Sequence, residues 1–183
     1  PHIKQGQTAA KYSVKSQPIT FIWGPPGTGK TETLADIAFS CIEEGKRVLM
    51  MSYSNVSVDG AIIRLAGKAD LEDGKVVRYG YPRDERIIDS ALSSYKCAMQ
   101  MHPELMEEYT SLIDQKKNIS RTDPRRLDIN KELNAIRSKL QENEHQIVNR
   151  ASFVATTVSK AIMDKNIYGQ KFDLVIFDEA SMA

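Results

Sequence analysis

The sequence predicts an α/β fold: a parallel sheet flanked by helices, with a helical hairpin inserted into it. Three observations predict it. Short apolar runs alternate with helix-period segments from Ile19 to Tyr79, and again from Ser152 to Phe177. A glycine-rich turn joins the first apolar run to the first helical segment. Between the two halves, residues 91 to 150 lose the alternation and become polar, highly charged and poor in glycine.

Each element has its own signal. Ile19–Trp23 is a short apolar run ending at a Gly/Pro loop, which predicts a buried strand with Trp23 in the core. From Lys30 to about Glu44 the period becomes helical, with Leu34, Ile37, Ala38 and Cys41 on one face and Gly45 as a C-terminal stop. Val48–Tyr53 predicts a second strand, Asp59–Ala66 a helix, and Val76–Tyr79 a weaker strand closed by Gly80 and Pro82. In the central segment a helix is expected over Glu104–Lys117. A second carries Leu133, Ile136, Leu140 and Ile147 at near-heptad spacing, and Pro124 sits at its start. Ser152–Thr157 is expected as a strand, followed by a short helix from Ser159. Phe172–Phe177 is the last strand, and it delivers Asp178 and Glu179 to its C-terminal end. The division expected is a first part of the α/β domain at 1–90, the inserted hairpin at 91–150 and the remainder at 151–183.

Composition bounds the rest. The 183 residues suffice for one packed domain with an insertion, and 41% hydrophobic with 27% charged residues is an ordinary globular balance. A net charge of +1 argues against a broadly basic surface and leaves room for a local basic stripe. Cys41 and Cys97 make neither a disulfide framework nor a metal cluster, so a reducing, cytoplasmic setting is expected. No apolar run is long enough to span a membrane, and no signal peptide is visible. The chain begins at Pro1 rather than Met and stops at Ala183, just past Asp178-Glu179. It is expected to be a piece of a longer polypeptide.

Gly24-Pro25-Pro26-Gly27-Thr28-Gly29-Lys30-Thr31 fits G-x-x-x-x-G-K-[ST] in full, the Walker A pattern. The glycines let the backbone approach phosphate oxygens closely, so that successive N–H groups form an anion nest at the N-terminus of the next helix. Lys30 is expected to reach the β- and γ-phosphates of ATP, and the Thr31 hydroxyl to ligate Mg²⁺. Asp178-Glu179, after an apolar strand, fits the Walker B position. There Asp178 binds Mg²⁺ and Glu179 takes the proton of the attacking water. Asp173 is a competing carboxylate, but it precedes the strand and belongs at the opposite edge of the sheet. With Lys30, these two acids are the expected catalytic set. The plainer reading of the pair, two solvated residues at a strand end, gives way because the phosphate loop is present.

On these residues the chain resembles a known family. GPPGTGKT at Gly24–Thr31, continued by Glu32-Thr33-Leu34, together with SYSNVSVDGAI at Ser52–Ile62, looks like superfamily 1 helicases. The subgroup is that of the nonsense-decay RNA helicase and its DNA-helicase relatives. ASFVATTVSKA at Ala151–Ala161 and DLVIFDEAS at Asp173–Ser181 are similar to later motifs of the group. The resemblance implies a RecA-like P-loop fold and Mg-ATP hydrolysis. It implies movement along single-stranded DNA or RNA when the domain is joined to a second RecA-like domain, which would bring the arginine fingers. It implies that Gln7 reads adenine, and that Ser54 and Asn55, with Thr156 and Thr157, contact the nucleic-acid strand. Capping of a helix by Asn55 or Ser57 is compatible with that role, and Thr156 and Thr157 also suit an ordinary strand. The chain departs from the group in having no glutamine at Ser181-Met182-Ala183. Its insertion also has no clear set of strands, where the group often carries a small barrel.

Two other readings remain open at this point. One is a P-loop ATPase or kinase with no nucleic-acid role. The other is a nucleotide-regulated scaffold whose hairpin recruits a partner. Lys116, Lys117, Arg121, Arg125, Arg126 and Lys131 cluster near the hairpin tip. Asp114, Asp123, Asp128 and Glu132 lie among them, so a solvated face is favoured over a strand contact. His2, His102 and His145 have no metal spacing.

Overall fold

The computed structural model describes residues 2–25, 27–68 and 74–182, with backbone alone at 2–4 and 182. Helix α1 (His2–Ser16) leads through an extended segment and the glycine-rich loop into α2 (Lys30–Glu43). Then follow β1 (Val48–Ser52), α3 (Asn55–Ala66), β2 (Val76–Arg78) and α4 (Glu85–Ile88). The insertion supplies α5 (Ser94–Met101), α6 (Pro103–Lys117) and α7 (Arg125–Arg150). The chain closes with β3 (Phe153–Thr157), α8 (Val158–Met163), α9 (Lys165–Tyr168), β4 (Leu174–Phe177) and a final 3₁₀ turn over Ala180–Met182.

The four strands form one parallel sheet in the order β2-β3-β1-β4, with Val48 opposite both Phe153 and Leu174. Alternation along the strands divides the core into two layers. Val48, Met50, Val76, Phe153, Ala155 and Ile176 face α2 and α3, where Ala38, Cys41, Val58, Ile62 and Leu65 meet them. Leu49, Val77 and Val154 face the other way, onto Cys97, Ala98, Ile147, Val148 and Ala161. Because successive side chains point to opposite faces, a one-residue slip of β1 would exchange the two layers.

The α/β architecture and the parallel sheet agree with the sequence, as does the closure of α2 at Gly45, which has φ 75°. Three expectations need correction. Ile19–Trp23 is not a strand: it is extended but has no ladder partner among the described residues. The side chains of Ile19, Phe21 and Trp23 are in solvent, with Phe21 91% and Trp23 89% exposed, so Trp23 is not core, while Thr20 and Ile22 are half-buried. Apolar residues set a preference for an extended chain, but a strand also needs a neighbour's N–H and C=O groups. Helix α3 begins four residues earlier than expected. Its cap is Ser54, whose hydroxyl accepts from the Ser57 N–H, and not Asn55 or Ser57.

The third correction concerns the insertion. Leu112, Ile129, Leu133, Ile136 and Leu140 form a separate core between α6 and α7, consistent with the heptad-like stripe. The base of the insertion differs: Cys97 and Ala98 from α5, and Ile147 and Val148 from the end of α7, are part of the layer on the sheet. The stripe on α7 therefore serves two cores along its length.

At the N-terminal edge of the sheet, Arg47 gathers the chain. Its guanidinium donates to the carbonyls of Ala151, Val148 and Lys171 and to the Gln170 side chain, and it lies 4.8 Å from the Phe172 ring centroid. Asp173 accepts from the Arg47 N–H at 2.7 Å. That carboxylate is thus spent on structure, at the end of β4 opposite Asp178.

Candidate nucleotide and nucleic-acid site

The phosphate loop is shaped by its glycines. Gly27 and Gly29 hold φ of 79° and 78°, a left-handed conformation that costs a side-chain-bearing residue about 1 kcal/mol or more. Gly29 is also the N-cap of α2, with no side chain to occupy the helix N–H groups, which leaves them for an anion. Thr33 satisfies the Gly29 carbonyl from both its N–H (2.9 Å) and its hydroxyl (3.0 Å). Gly24 is needed for close approach: a Cβ there would lie 2.7 Å from the Thr28 hydroxyl, which donates to the Pro25 carbonyl at 2.8 Å. Lys30 Nζ donates to the carbonyls of Gly24 (2.5 Å) and Pro25 (3.0 Å), so its ammonium stands over the loop. Pro26 lies outside the described residues, and Thr31 sits in the first turn of α2.

Helix α1 braces this loop from the side. A Cβ on Gly29 would lie 3.0 Å from Gln7 Nε2, so the Gln7 amide is against the phosphate loop itself. Lys11 pairs with Asp36 at 2.7 Å, and Lys68 reaches the same carboxylate at 2.6 Å. The two ammonium groups hold the Asp36 carboxyl below its ordinary range.

The acidic pair stands at the C-terminal end of β4, where open parallel sheets bind their ligands. The Asp178 N–H continues the ladder to the Met51 carbonyl at 2.9 Å, and Asp178 Oδ1 accepts from the Glu179 N–H at 3.0 Å. Glu179 has φ 57°, a left-handed backbone uncommon outside glycine. Its Oε2 accepts from the Ser52 hydroxyl at 2.9 Å and its Oε1 from the Ser57 hydroxyl at 3.0 Å.

Of the expected strand contacts, Ser54 and Asn55 sit on the turn between β1 and α3, both partly exposed. Asn55 Oδ1 accepts from Arg78 at 2.7 Å, which leaves its amide N–H groups as the outward donors. Thr157 caps α8 by accepting from the Lys160 N–H at 3.3 Å. Thr156 is a correction: it is fully buried, and its hydroxyl donates to the Tyr79 carbonyl at 2.9 Å. A side chain so enclosed has no face to offer a nucleic-acid backbone. The basic residues at the hairpin tip are largely committed as well. Lys117 pairs with Asp114, Arg125 with Asp123 and Lys131 with Asp128, while Arg126 donates to carbonyls in the turn.

Sequence reasoning missed the ion pair beneath the Asn55 turn. Arg78 and Asp59 are both buried, with Nε 2.7 Å from Oδ1. Asp59 Oδ2 accepts from the N–H groups of Arg83 (2.6 Å) and Asp84 (3.0 Å). Burial pushes the Arg78 guanidinium below its ordinary value, and the Asp59 carboxylate opposes that shift. The signal was present: an aspartate beside Val58 on an apolar helix, and an arginine ending an apolar strand. A charge at a core position requires a partner.

An all-parallel sheet with a glycine-rich loop at a helix N-terminus is the architecture of the RecA-like phosphate-loop domains. Comparison with known proteins agrees: the family model described as AAA domain matches residues 3–135. DNA polymerase alpha-associated DNA helicase A of Schizosaccharomyces pombe is 30% identical over 96% of this chain and 27% of its own length. DNA-binding protein SMUBP-2 of Mesocricetus auratus is 29% identical over 96% of the chain and 18% of its own length. ATP-dependent helicase upf1 of S. pombe is 29% identical over 100% of the chain and 19% of its own length. The chain belongs to the AAA domain family, and its relatives group it with the superfamily 1 helicases of the nonsense-decay group. It spans no more than about three tenths of the length of these curated relatives.

Proposed function

We propose that this chain is the ATP-binding motor domain of a helicase. It couples hydrolysis of Mg-ATP to movement along single-stranded nucleic acid, in concert with a second RecA-like domain. The observation that carries the reading is the presence of two features in one parallel α/β fold. A left-handed glycine loop opens α2 beneath Lys30, and an acidic pair ends β4. The relatives' names, helicase and DNA-binding protein, support the nucleic-acid role.

In this reading the N–H groups at the start of α2 hold the β- and γ-phosphates, and Lys30 turns from the loop carbonyls to the γ-phosphate. Thr31 and Asp178 present hard oxygen donors, the set that suits Mg²⁺. The ion, when bound, neutralises charge on the β- and γ-oxygens. Glu179 accepts the proton of water as the water oxygen bonds to the γ-phosphorus and the bond to ADP breaks. Gln7, against the loop, reads the bound nucleotide from the α1 side. Ser54, the Asn55 amide and Thr157 line the end of the sheet that a strand would cross. A cytoplasmic setting fits Cys41 and Cys97, neither of which is in a disulfide.

The test is ATP hydrolysis by the native polypeptide that carries this chain, with and without single-stranded DNA or RNA. Stimulation by a strand is expected, with loss of turnover in Glu179→Gln. Hydrolysis that ignores single strands of both kinds would reject the motor reading in favour of an ATPase without a nucleic-acid role.

A further inference from the structure

The Glu179 carboxylate is held at both oxygens, and both holders belong to the segment that carries the expected strand contacts. Ser52, fully buried at the end of β1, donates to Oε2, and Ser57, in the first turn of α3, donates to Oε1. The Ser52 hydroxyl itself accepts from the Ser54 N–H at 3.3 Å. Two routes therefore run from the Ser54–Asn55 turn to the carboxylate. One passes from the Ser54 N–H through the Ser52 hydroxyl. The other passes through the α3 backbone to Ser57, whose N–H is tied to the Ser54 side chain.

We propose that Ser52 and Ser57 are positioning residues that aim the Glu179 carboxylate, and that they couple strand contact at Ser54–Asn55 to ATP hydrolysis. The proposal rests on Glu179 being the general base. A carboxylate on an exposed, left-handed turn has free rotamers, and rotamer freedom defeats proton abstraction, which needs a fixed approach to the water. Two hydroxyl donors from separate elements remove that freedom. A strand on the turn presses on the cap of α3, the element that carries Ser57. Any shift of that cap moves the Ser57 hydroxyl and the carboxylate together. Lower down, the buried Arg78–Asp59 pair holds the body of α3, so the shift is confined to the first turn.

Ser57 is the residue to test, because it is partly exposed and its side chain takes no part in the helix cap, which uses its N–H. In the native polypeptide, Ser57→Ala is expected to lower kcat by roughly 10-fold, within the range that misplacing a reacting group produces. KM for ATP and affinity for a single strand should remain those of the wild type. The fold-stimulation by single-stranded nucleic acid should fall with kcat. Ser57→Thr, which keeps the hydroxyl, is expected to restore both. A Ser57→Ala variant with wild-type kcat and wild-type stimulation overturns the proposal. So does a Ser57→Thr variant as slow as Ser57→Ala, which would assign the effect to packing rather than to the hydroxyl. Glu179→Gln separates the two levels. Active Glu179→Gln removes the general base and this proposal with it, whereas inactive Glu179→Gln beside unaffected Ser57→Ala overturns the coupling alone.

Discussion

At the scale of single residues, the charged side chains divide by what surrounds them. Lys30 stands on a loop whose carbonyls hold its ammonium until a better anion arrives. Lys30→Ala should therefore weaken ATP binding by about 10-fold or more, since a charge-assisted contact contributes roughly 1.5–3 kcal/mol. Titration calorimetry on the wild type and the variant checks this, and equal affinities would remove Lys30 from the phosphates. Asp59 is the opposite case, a carboxylate enclosed in the core to serve Arg78. Asp59→Ala leaves a buried guanidinium without its counter-charge, and such a loss costs about 3–5 kcal/mol. The expected result is a matching fall in urea-unfolding stability, and a variant as stable as wild type would mean that water reaches Arg78.

At the scale of elements, the extended segment before the loop presents Ile19, Phe21 and Trp23 to solvent. Trp23 is the only tryptophan, it lies next to Gly24, and it is 89% exposed. Its emission should be that of a solvated indole, readily quenched by acrylamide, and should change when ATP fills the loop. The change is expected to vanish in Lys30→Ala at the same ATP concentration. A blue-shifted, unquenchable emission from the nucleotide-free protein would place Trp23 in a core instead. The insertion offers a second test. We propose that its separable part is the pair α6–α7 distal to the sheet, not the whole of residues 91–150. Replacing residues 105–141 with a short Gly/Ser linker removes the Leu112, Leu133 and Leu140 core but keeps Cys97, Ala98, Ile147 and Val148 on the sheet. That variant should unfold cooperatively. Excision of 91–150 strips Cys97, Ala98, Ile147 and Val148 from one face of the sheet and should yield no cooperative transition.

At the scale of the whole molecule, stability should carry an acid limb with a known contributor. Burial pushes the Asp164 carboxyl up, but hydrogen bonds from Lys160, from the Tyr79 hydroxyl and from the Asn166 N–H overcome it and hold the pKa at about 2. A folded value below the unfolded one means that the stabilisation is present above about pH 4 and is lost as the pH falls through about 2. The shift corresponds to about 2 kcal/mol. Asp164→Asn should lower stability at pH 7 by up to that amount and flatten the loss between pH 4 and 2. Denaturant melts at pH 7, 4 and 2.5 measure it, and parallel losses in both proteins would clear Asp164 of the effect. Catalysis by the whole is a separate matter. Several arginines of this chain are committed away from the loop: Arg47, Arg78, Arg86 and Arg125 all have structural partners. An arginine finger contributes roughly 10³–10⁵ in rate. On the proposed reading that arginine comes from the second RecA-like domain, so the 183-residue chain alone should hydrolyse ATP far more slowly than the two domains together, and comparable rates would show a complete active site here.

The sequence by itself determined whatever depends on local spacing. Gly24, Gly27, Gly29 and Lys30 specify a phosphate loop because its backbone conformation is written in neighbouring residues, and α2 follows from its own period and from Gly45. The α6–α7 pair was legible for the same reason, since a heptad-like stripe needs only a partner helix close in the chain. What the tertiary structure decided are the relations across sequence distance. Ile19–Trp23 has the composition of a strand and no ladder partner among the described residues. Thr156 has the position of a strand contact, but the sheet closes over it and the Tyr79 carbonyl takes its hydroxyl. Ser52 and Ser57 met Glu179 only because β1 and β4 are neighbours in the sheet, although more than a hundred residues separate them in the chain. A local pattern fixes which groups a segment can offer. Which groups they meet depends on strand order and burial, and those are properties of the assembled sheet.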